Sequence, residues 1–330
     1  MASRPKIKRV LVVGGSGYIG SHMTVLLKHK GYEPVVFDRV ISKTLQKVSN
    51  VSTIKGDLRR YQDIQGALQK IQPDVVMYFA GLIVAPESNI KPHDYLDHNV
   101  LGAVNLLKAM HETGVKKIIF SSTAAVYGNP PKVPITEEAP LKPINTYGHT
   151  KLMFEQMLER VALSDPEFSY VALRYFNAAG AHHSGLLGER HNPETHLIPN
   201  VLRTIKGSLK ELIVYGDDYP TKDGTCIRDY VHVEDLTEAH WLAIQALRKG
   251  LSNQIINLGT GKGYSAREII TMAEKVTGGK VNLKVSSRRP GDPAVLVASY
   301  KKAQKLLGWQ PQRSLTQIIE SAWAWEKGLS

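Results

Sequence analysis

Tyr147 and Lys151 have the spacing of a proton-transfer pair. Residues at positions i and i+4 of a helix share one face, so the Lys151 ammonium is expected beside the Tyr147 phenol and favours its ionised form. A phenol whose pKa is normally about 10 then becomes a usable base. Tyrosine and lysine at this spacing also occur by chance, so the pair needs support from a second site.

That second site is the glycine-rich turn Gly14–Gly20. The β-branched apolar run 9–13 before it predicts a buried strand, and a helix is predicted directly after it. Gly14 is expected to permit the tight turn, Gly17 to let backbone N–H groups approach a pyrophosphate, and Gly20 to let the helix pack close to the sheet. This pattern is typical of dinucleotide binding at a helix N-terminus.

Asp38 favours NAD as the dinucleotide. It ends the second predicted strand, 33–38, about 20 residues beyond the turn, where a carboxylate holds a ribose hydroxyl. Arg39 follows it directly and could instead accommodate the 2′-phosphate of NADP.

These residues require a sheet to position them, and the pattern of the chain predicts one. Apolar strands alternate with helical stretches, which indicates an α/β fold with a doubly wound parallel (Rossmann) sheet and a smaller mixed α/β substrate lobe. A predicted helix, 233–248, and a strand, 254–258, return to the main sheet. The remaining predicted strands are 51–55, 74–79, 116–121 and 169–175. The expected division is residues 1–176 with 233–258 for the NAD domain, and 177–232 with 259–330 for the substrate lobe.

Ligands of such sheets bind beyond the carboxyl ends of the strands. Four segments with polar or small residues fall there: Asp57, Phe79–Gly81, Ser121–Thr123 and Phe176–Asn177. Each alone could be a loop or a helix cap, and Asp57 in particular could be a cap. Their shared location predicts one site.

Composition excludes several classes of protein. The 330 residues are 42% hydrophobic, enough for a large core, and the net charge of +12 raises the possibility of nucleic-acid binding. The basic residues are scattered and form no basic-aromatic RNA motif, so no nucleic-acid partner is expected. The excess charge would attract an anionic substrate.

The same composition predicts a cytoplasmic protein. Cys226 is the single cysteine, which excludes an internal disulfide and suits a reducing compartment. No CxxC or clustered His/Cys pattern is present, so no metal is expected. No apolar stretch approaches the roughly 18 residues of a membrane span, and segment 1–9 leads into the first strand without the features of a signal peptide.

Together these motifs resemble the extended short-chain dehydrogenases/reductases, and within them the UDP-glucose (UDP-galactose) 4-epimerases. The resemblance covers nearly the whole chain. Its segments are Gly14–His22, Phe79–Gly81, Phe120–Gly128, Tyr147–Lys151, Leu173–Asn177, Tyr215–Tyr219, Asp223–Val233 and Arg288–Asp292, of which the last three are the more specific to these epimerases.

The resemblance implies a redox cycle with no net oxidation. Tyr147 takes the proton of the sugar 4-hydroxyl as hydride passes to tightly held NAD, and the hydride later returns to the other face of the 4-keto sugar. Lys151 lowers the Tyr147 pKa and binds the nicotinamide ribose, while Thr123 hydrogen-bonds the reacting oxygen.

It also implies two sets of binding residues. The NAD contacts would be Gly14, Gly17, Tyr18, Ile19, Gly20, Asp38, Asp57, Leu58, Phe79, Ala80, Gly81, Asn99, Ser121, Tyr147, Lys151, Tyr175 and Phe176. The UDP-sugar contacts would be Thr123, Asn177, His196, Leu197, Tyr215, Arg228, Tyr230, Arg289, Asp292 and Leu296. The arginines suit a diphosphate and Tyr215 suits uracil packing, with surface salt bridges as the alternative role for Arg228 and Arg289.

Differences from related families narrow the chemistry. Ala124 and Ala125 stand where sugar 4,6-dehydratases carry an Asp-Glu pair, and neither can transfer a proton. Ala125 also argues against nucleotide-sugar decarboxylases. Ile83 stands where some epimerases carry a lysine near the cofactor. This difference and Arg39 leave the affinity for the cofactor open.

Leu296 stands where epimerases restricted to glucose and galactose carry a tyrosine. A smaller wall would admit an N-acetyl group, so acceptance of UDP-GlcNAc and UDP-GalNAc is a further hypothesis. Another UDP-sugar 4-epimerase, acting on UDP-pentoses or UDP-uronic acids, and a noncatalytic NAD-binding regulator are the alternatives.

A homodimer is also implied, through helices spanning roughly 93–112 and 147–162. Apolar residues that could supply its surface are Ala103, Leu106, Leu107, Met110, Met153, Met157 and Leu158. The alternative is that these side chains face only their own sheet.

Overall fold

The computed structural model describes residues 7–289 and 291–329. The N-terminal residues 1–6, Pro290 of the Arg288–Asp292 motif and Ser330 lie outside the described residues.

The strands follow the apolar runs of the sequence. They are β1 (Arg9–Val13), β2 (Glu33–Asp38), β3 (Ser52–Lys55), β4 (Val75–Tyr78), β5 (Lys117–Thr123), β6 (Ser169–Tyr175), β7 (Asn177–Ala179), β8 (Leu212–Tyr215), β9 (Ile227–Arg228), β10 (Tyr230–His232), β11 (Gln254–Leu258), β12 (Tyr264–Ser265), β13 (Leu283–Ser286) and β14 (Val295–Leu296).

The α-helices fill most of the intervals between strands. They are α1 (Tyr18–His29), α2 (Lys43–Ser49), α3 (Tyr61–Ile71), α4 (Ala85–Ile90), α5 (Pro92–Tyr95), α6 (Gly102–Thr113), α7 (Thr146–Ser164), α8 (Leu197–Lys206), α9 (Val233–Arg248), α10 (Ala266–Thr277), α11 (Lys301–Leu307) and α12 (Leu315–Gly328). A π-helix, Leu96–Leu101, and a 3₁₀-helix, Ala124–Tyr127, complete the set.

Seven strands form one parallel sheet in the order β11-β6-β5-β4-β1-β2-β3. Successive residues of β1 point to opposite faces. Leu11 and Val13 pack with helices α3, α6 and α7, whereas Val10 and Val12 pack with α1, α9 and α11. The predicted doubly wound parallel sheet is confirmed, and it brings the carboxyl ends of β1, β4, β5 and β6 to one edge.

A second core lies outside this sheet. It joins α8, α10 and α12 to β8, with Ile198, Ile269 and Ile319 among its buried side chains. Three small sheets, β7 with β10, β8 with β13, and β9 with β12 and β14, surround it. This mixed α/β part faces the carboxyl edge of the main sheet and supplies the second wall of the site.

Three local features differ from the sequence-based expectation. Strand β5 continues to Thr123, two residues past its predicted end at Ser121. Asn177 does not close β6 but begins β7, which pairs with Tyr230 of β10. The stretch 93–112, expected as one helix, is divided by the π-helix Leu96–Leu101 between α5 and α6.

No helix within the described part of the chain combines the length and hydropathy that crossing a bilayer requires.

Candidate active site

The glycine turn forms a cradle that only glycine fits. Gly14 has φ +80°, and a Cβ there would lie 2.5 Å from the backbone nitrogen of Ala80. A Cβ on Gly20 would lie 2.3 Å from the Gly14 carbonyl oxygen. Gly17 is less crowded, since its Cβ would come only to 3.3 Å from that oxygen, and it caps α1. The turn therefore keeps an open space at the N-terminus of α1. The positive end of the helix dipole favours a pyrophosphate in that space.

Asp38 lies at the rim of a cavity of about 340 Å³ next to this turn. Its Oδ2 accepts from the Ser16 backbone N–H at 3.0 Å, which fixes the carboxylate at the carboxyl end of β2. Arg39 lines the same cavity. The predicted residues that share this cavity are Gly14, Gly17, Asp38, Asp57, Leu58, Phe79, Ala80 and Gly81.

Asp57 is held by its neighbour rather than left free. Arg59 Nη2 donates to Asp57 Oδ2 at 2.6 Å, and the Arg59 backbone N–H donates to Oδ1 at 3.0 Å. The Arg59 guanidinium lowers the pKa of the Asp57 carboxyl to about 2. Asp57 therefore supplies a fixed negative charge at the cavity wall.

Asn99 lies behind the cavity wall. Its Oδ1 accepts from the Leu82 N–H at 2.8 Å, and its Nδ2 donates to the Leu82 carbonyl at 3.0 Å and to Thr150 Oγ1 at 3.1 Å. This buried amide ties the Gly81–Leu82 loop to α7. It was predicted as a cofactor contact, and it lines neither this cavity nor the cavity beside it.

The proton-transfer pair lies where the glycine turn meets a second cavity of about 630 Å³. Tyr147 stands in the first turn of α7 and Lys151 one turn later, both lining this cavity. Lys151 Nζ donates to the Ser121 carbonyl at 2.9 Å and lies 5.9 Å from the centre of the Tyr147 ring. Thr123 reaches the same cavity because β5 extends to it.

Burial dominates the protonation of this pair. It raises the pKa of Tyr147 to about 12, although a hydrogen bond with the Thr123 side chain works in the opposite direction. Burial lowers the pKa of Lys151 to about 8, opposed by the Glu155 carboxylate. The expected lowering of the phenol pKa by Lys151 is not observed, because the ammonium donates to the Ser121 carbonyl and not to the phenol.

A third cavity, of about 510 Å³, continues the cleft away from the sheet. Asn177, His196, Arg228 and Asp292 line both the second and the third cavity, so the two form one cleft. The remaining predicted contacts divide between them. Leu296 lines the second cavity with Tyr18, Ile19, Gly20, Ser121, Tyr175 and Phe176, and Leu197, Tyr215, Tyr230 and Arg289 line the third.

Two arginines supply positive charge to this cleft in different ways. Arg228 is buried and forms an ion pair with Asp292. Arg289 stacks its guanidinium 3.7 Å from the centre of the Tyr215 ring. The Tyr215 ring suits the packing of a pyrimidine. Arg289 and the buried Arg228 suit the diphosphate joined to it. The Arg228–Asp292 pair was not predicted, since both had been assigned separate contacts.

Other lining residues had not been predicted. Val84, Ala85, Glu189, His191, Asn192 and Pro193 line the second cavity, and His98 and Ser42 line the first. Those at 189–193 belong to the Gly, Pro and His-rich stretch that follows Phe176. In that stretch charged residues alternate with histidines, and this pattern could have identified these residues as part of a site.

The fold and the cleft define a Rossmann-type enzyme whose dinucleotide cavity adjoins a second ligand cleft that contains two arginines. The family model described as NAD dependent epimerase/dehydratase matches residues 10–259, and the chain belongs to that family.

Similar proteins agree with this placement. The UDP-glucose 4-epimerase of Halalkalibacterium halodurans is 45% identical over 323 residues, covering 96% of this chain and 95% of the relative. The UDP-glucose 4-epimerase of Bifidobacterium longum, solved in complex with NAD+ and UDP, is 40% identical with a TM-score of 0.93, covering 97% and 98% of the two chains. The UDP-Glc/GlcNAc 4-epimerase of Campylobacter jejuni is 38% identical with a TM-score of 0.84, covering 98% and 100%.

Proposed function

We propose that this chain is a UDP-glucose 4-epimerase that interconverts UDP-glucose and UDP-galactose with tightly held NAD. The observation that carries the proposal is the position of Tyr147, Lys151 and Thr123 at the junction of the dinucleotide cavity and the arginine-containing cleft. The full-length similarity to UDP-glucose 4-epimerases supports it.

The NAD site fits its ligand in this chain. The absence of side chains at Gly14, Gly17 and Gly20 leaves space for a pyrophosphate at the N-terminus of α1, and the Asp38 carboxylate is placed to accept a hydrogen bond from a ribose hydroxyl. NAD, when bound, would supply the hydride acceptor and donor, a chemistry that the protein residues lack.

The protein residues bind the sugar nucleotide and move the proton. Arg289 and Arg228, the second of which is shared with Asp292, would bind the diphosphate, with Tyr215 against the base. Thr123 orients the 4-hydroxyl, and Tyr147 takes its proton and later returns it. The 4-keto sugar rotates in the second cavity between these steps, so configuration inverts at C4 without net oxidation.

The same site supports a wider substrate range. Leu296 ends in the second cavity between Ala124 and Phe176, and its side chain is shorter than a tyrosine. This smaller wall leaves room for a C2 N-acetyl group, so UDP-GlcNAc and UDP-GalNAc are proposed as additional substrates. The similarity to a UDP-Glc/GlcNAc 4-epimerase supports this extension.

Proton NMR of the purified chain with UDP-galactose, and separately with UDP-GalNAc, tests the proposal without added NAD. Conversion of UDP-galactose to UDP-glucose is the expected result. No conversion even with added NAD would contradict the proposal. A panel that includes UDP-pentoses and UDP-uronic acids then distinguishes another 4-epimerase from a noncatalytic NAD-binding regulator, which would turn over none of them.

The cytoplasm is the proposed location and a homodimer the proposed assembly. Cys226, the single cysteine of the chain, suits a reducing compartment.

A further inference from the structure

Four potential metal ligands converge between β7 and α8. They are Glu189, His191, Glu194 and His196, and one ligand atom from each lies within 4.8 Å of all the others. His196 Nδ1 is 2.8 Å from Glu189 Oε1 and 3.2 Å from Glu194 Oε1. His191 Nδ1 is 3.4 Å from Glu189 Oε1 and 3.6 Å from Glu194 Oε2.

These four separations, which involve Oε1 of Glu194 with His196 and Oε2 with His191, are close to the spacing between two ligands of a tetrahedral metal site. Zinc bonds of about 2.0–2.2 Å place two tetrahedral ligands roughly 3.3–3.5 Å apart. The observed separations of 2.8 to 3.6 Å lie around that value. His191 Nδ1 is also buried without a hydrogen-bond partner among the described residues, and it points at the two carboxylates.

The surrounding backbone holds the Glu194 carboxylate in place. Glu194 Oε1 accepts the backbone N–H groups of Thr195 at 2.9 Å and His196 at 3.0 Å. The Glu189 carboxylate is not held by this backbone, but the Trp325 side chain donates through Nε1 to the Glu189 backbone carbonyl at 3.0 Å and so fixes the main chain of that residue, which is only 6% exposed. Ligands fixed in this way do not have to be ordered when an ion binds.

The charge of the cluster also favours a cation. The carboxylates of Glu189 and Glu194 each lie within 3.6 Å of both histidine Nδ1 atoms. The two carboxylates therefore produce a strong negative field at the point where both imidazoles meet. A divalent ion at that point would neutralise both carboxylate charges.

We propose that Glu189, His191, Glu194 and His196 bind one divalent transition-metal ion of the zinc type. Two imidazole nitrogens with two carboxylate oxygens favour Zn²⁺ over Mg²⁺ or Ca²⁺, which prefer all-oxygen sites. Four protein ligands make a closed site, the arrangement of structural zinc. The ion stabilises segment 189–196, which forms one wall of the second cavity. The expectation that the chain binds no metal had considered only histidine and cysteine and had not counted the carboxylates.

The test uses the untagged full-length chain with NAD, stripped with a chelator and titrated with Co²⁺ and then Zn²⁺. The expected result is one ion per chain, the visible absorption of tetrahedral Co²⁺, displacement by Zn²⁺, and a higher Tm with Zn²⁺. His191→Ala and the isosteric Glu194→Gln should each weaken binding at least about 100-fold. Circular dichroism checks that both variants fold.

A second cluster in the chain provides the matched control. His182, His183 and Glu234 also lie close together, but they offer three ligands, and the His183 side chain is 75% exposed. The double variant His182→Ala/His183→Ala should bind as the unaltered chain does. Loss of the tetrahedral spectrum in this control, or its persistence in His191→Ala and Glu194→Gln, would overturn the assignment, as would absence of binding to the unaltered chain. Metal binding is read without turnover, so the result is independent of the proposed epimerase activity.

Discussion

At the scale of single residues, Tyr147 carries the proposed chemistry. Burial raises the pKa of its phenol to about 12, so Tyr147 can take a proton only when a nearby positive charge, such as the Lys151 ammonium, stabilises the phenolate. Tyr147→Phe is expected to lower kcat about 10²- to 10⁴-fold, the usual contribution of a general base, while NAD stays bound. Turnover by NMR and the NAD content of the denatured protein measure the two effects. Tyr61→Phe, at a tyrosine outside the cleft, should change neither, and near-normal turnover of Tyr147→Phe would refute the role.

Leu296 is the residue that sets the proposed substrate range. It is 9% exposed and packs with Ala124 and Phe176 at the cavity wall. Leu296→Tyr should lower kcat/KM for UDP-GalNAc at least about tenfold more than for UDP-galactose, because the larger ring fills the space for the N-acetyl group. Leu296→Met, which nearly conserves volume, is the control. Equal losses for both substrates would show that the residue supports the wall without selecting the sugar.

Residue types and their spacing in the sequence predicted which residues line the site. They did not predict the contacts that these residues make with one another. Gly14, Gly20 and Asp38 were predictable because a tight turn and a ribose contact each require a particular residue type. The ion pair of Arg228 with Asp292 was not, since the two are far apart in the chain and meet only when β9 and the segment before β14 come together. Lys151 likewise donates to the Ser121 carbonyl, which no helical spacing reveals.

At the scale of elements, a buried ion pair fixes α7 to the sheet. Arg174 of β6 donates through Nη2 to Glu155 of α7 at 2.6 Å, and both side chains are 2% exposed. Ser122 of β5 donates to the same carboxylate at 2.5 Å. Glu155 stands one turn beyond Lys151, so this network positions the helix that carries the proposed base.

Glu155→Gln should therefore lower the free energy of unfolding by about 3–5 kcal/mol, because it leaves the Arg174 charge buried without its partner. Urea denaturation measures the loss. Glu87→Gln is a matched control in the exposed pair with Lys91 on α4, where about 0.5 kcal/mol or less is expected. A loss of similar size in both variants would mean that the buried pair contributes no more than a surface pair.

Helices and strands were predicted correctly from the sequence where one hydrophobic pattern dominated the segment. β1 and β2 are short apolar runs bounded by turn residues, and their observed bounds coincide with the predicted ones. The π-helix Leu96–Leu101 has no local signature distinct from an α-helix. β7 could not be predicted from its three residues, because its strand character comes from pairing with the distant β10.

At the scale of the whole molecule, a buried histidine links stability to pH. His240 of α9 packs 4.9 Å from Phe79 and 5.9 Å from Tyr175 between ring centres, and its Nε2 has no hydrogen-bond partner among the described residues. Burial lowers the pKa of His240 from 6.5 to about 4, opposed by its bond to the Leu236 carbonyl. The folded state therefore keeps the ring neutral while the unfolded chain takes up a proton.

Between pH 6.5 and pH 4 the unfolded state binds more protons at this residue, so stability falls as the pH falls. The contribution is about 1.4 kcal/mol per pH unit. Urea denaturation of His240→Gln across this range should show a pH dependence shallower by that amount than that of the unaltered chain. His93→Gln, at an exposed histidine, is the control. An unchanged slope in His240→Gln would show that the folded ring takes up its proton as readily as the unfolded chain does.

The division into an NAD domain and a substrate lobe stays a prediction. The mixed α/β part has its own core around α8, α10 and α12, as such a lobe requires. Within the predicted lobe, however, Ala303, Leu307 and Trp309 pack into the core on one face of the main sheet. The chain thus crosses between the two parts again near its carboxyl end.

The proposed homodimer depends on what α6 and α7 leave exposed. Ala103, Leu106, Met110 and Leu158, expected at its surface, are at most 1% exposed and pack in the chain's own core, so that expectation is wrong for these four. The reason is that the sheet-facing stripe of each helix has the same periodicity as an interface stripe.

The outward faces of the two helices still offer an apolar surface. Leu107, Met153 and Met157 line a groove there together with Val104, and Val104 and Met153 are 44% and 40% exposed. Two copies related by a twofold axis would bring these faces together as a four-helix contact.

Val104→Glu combined with Met153→Glu places like charges in that contact, and each glutamate would meet other glutamates across the axis at high cost. The unaltered chain is expected to be a dimer by light scattering coupled to size exclusion, and the double variant a monomer with an unchanged circular dichroism spectrum. Ile90→Glu is the matched control, since Ile90 is 79% exposed on α4 and lines none of these cavities. A dimer that persists in the double variant would place the interface on another face. A single chain lines the cleft with every residue proposed for it. If the double variant is a monomer, its turnover will therefore show whether the active site depends on the second copy.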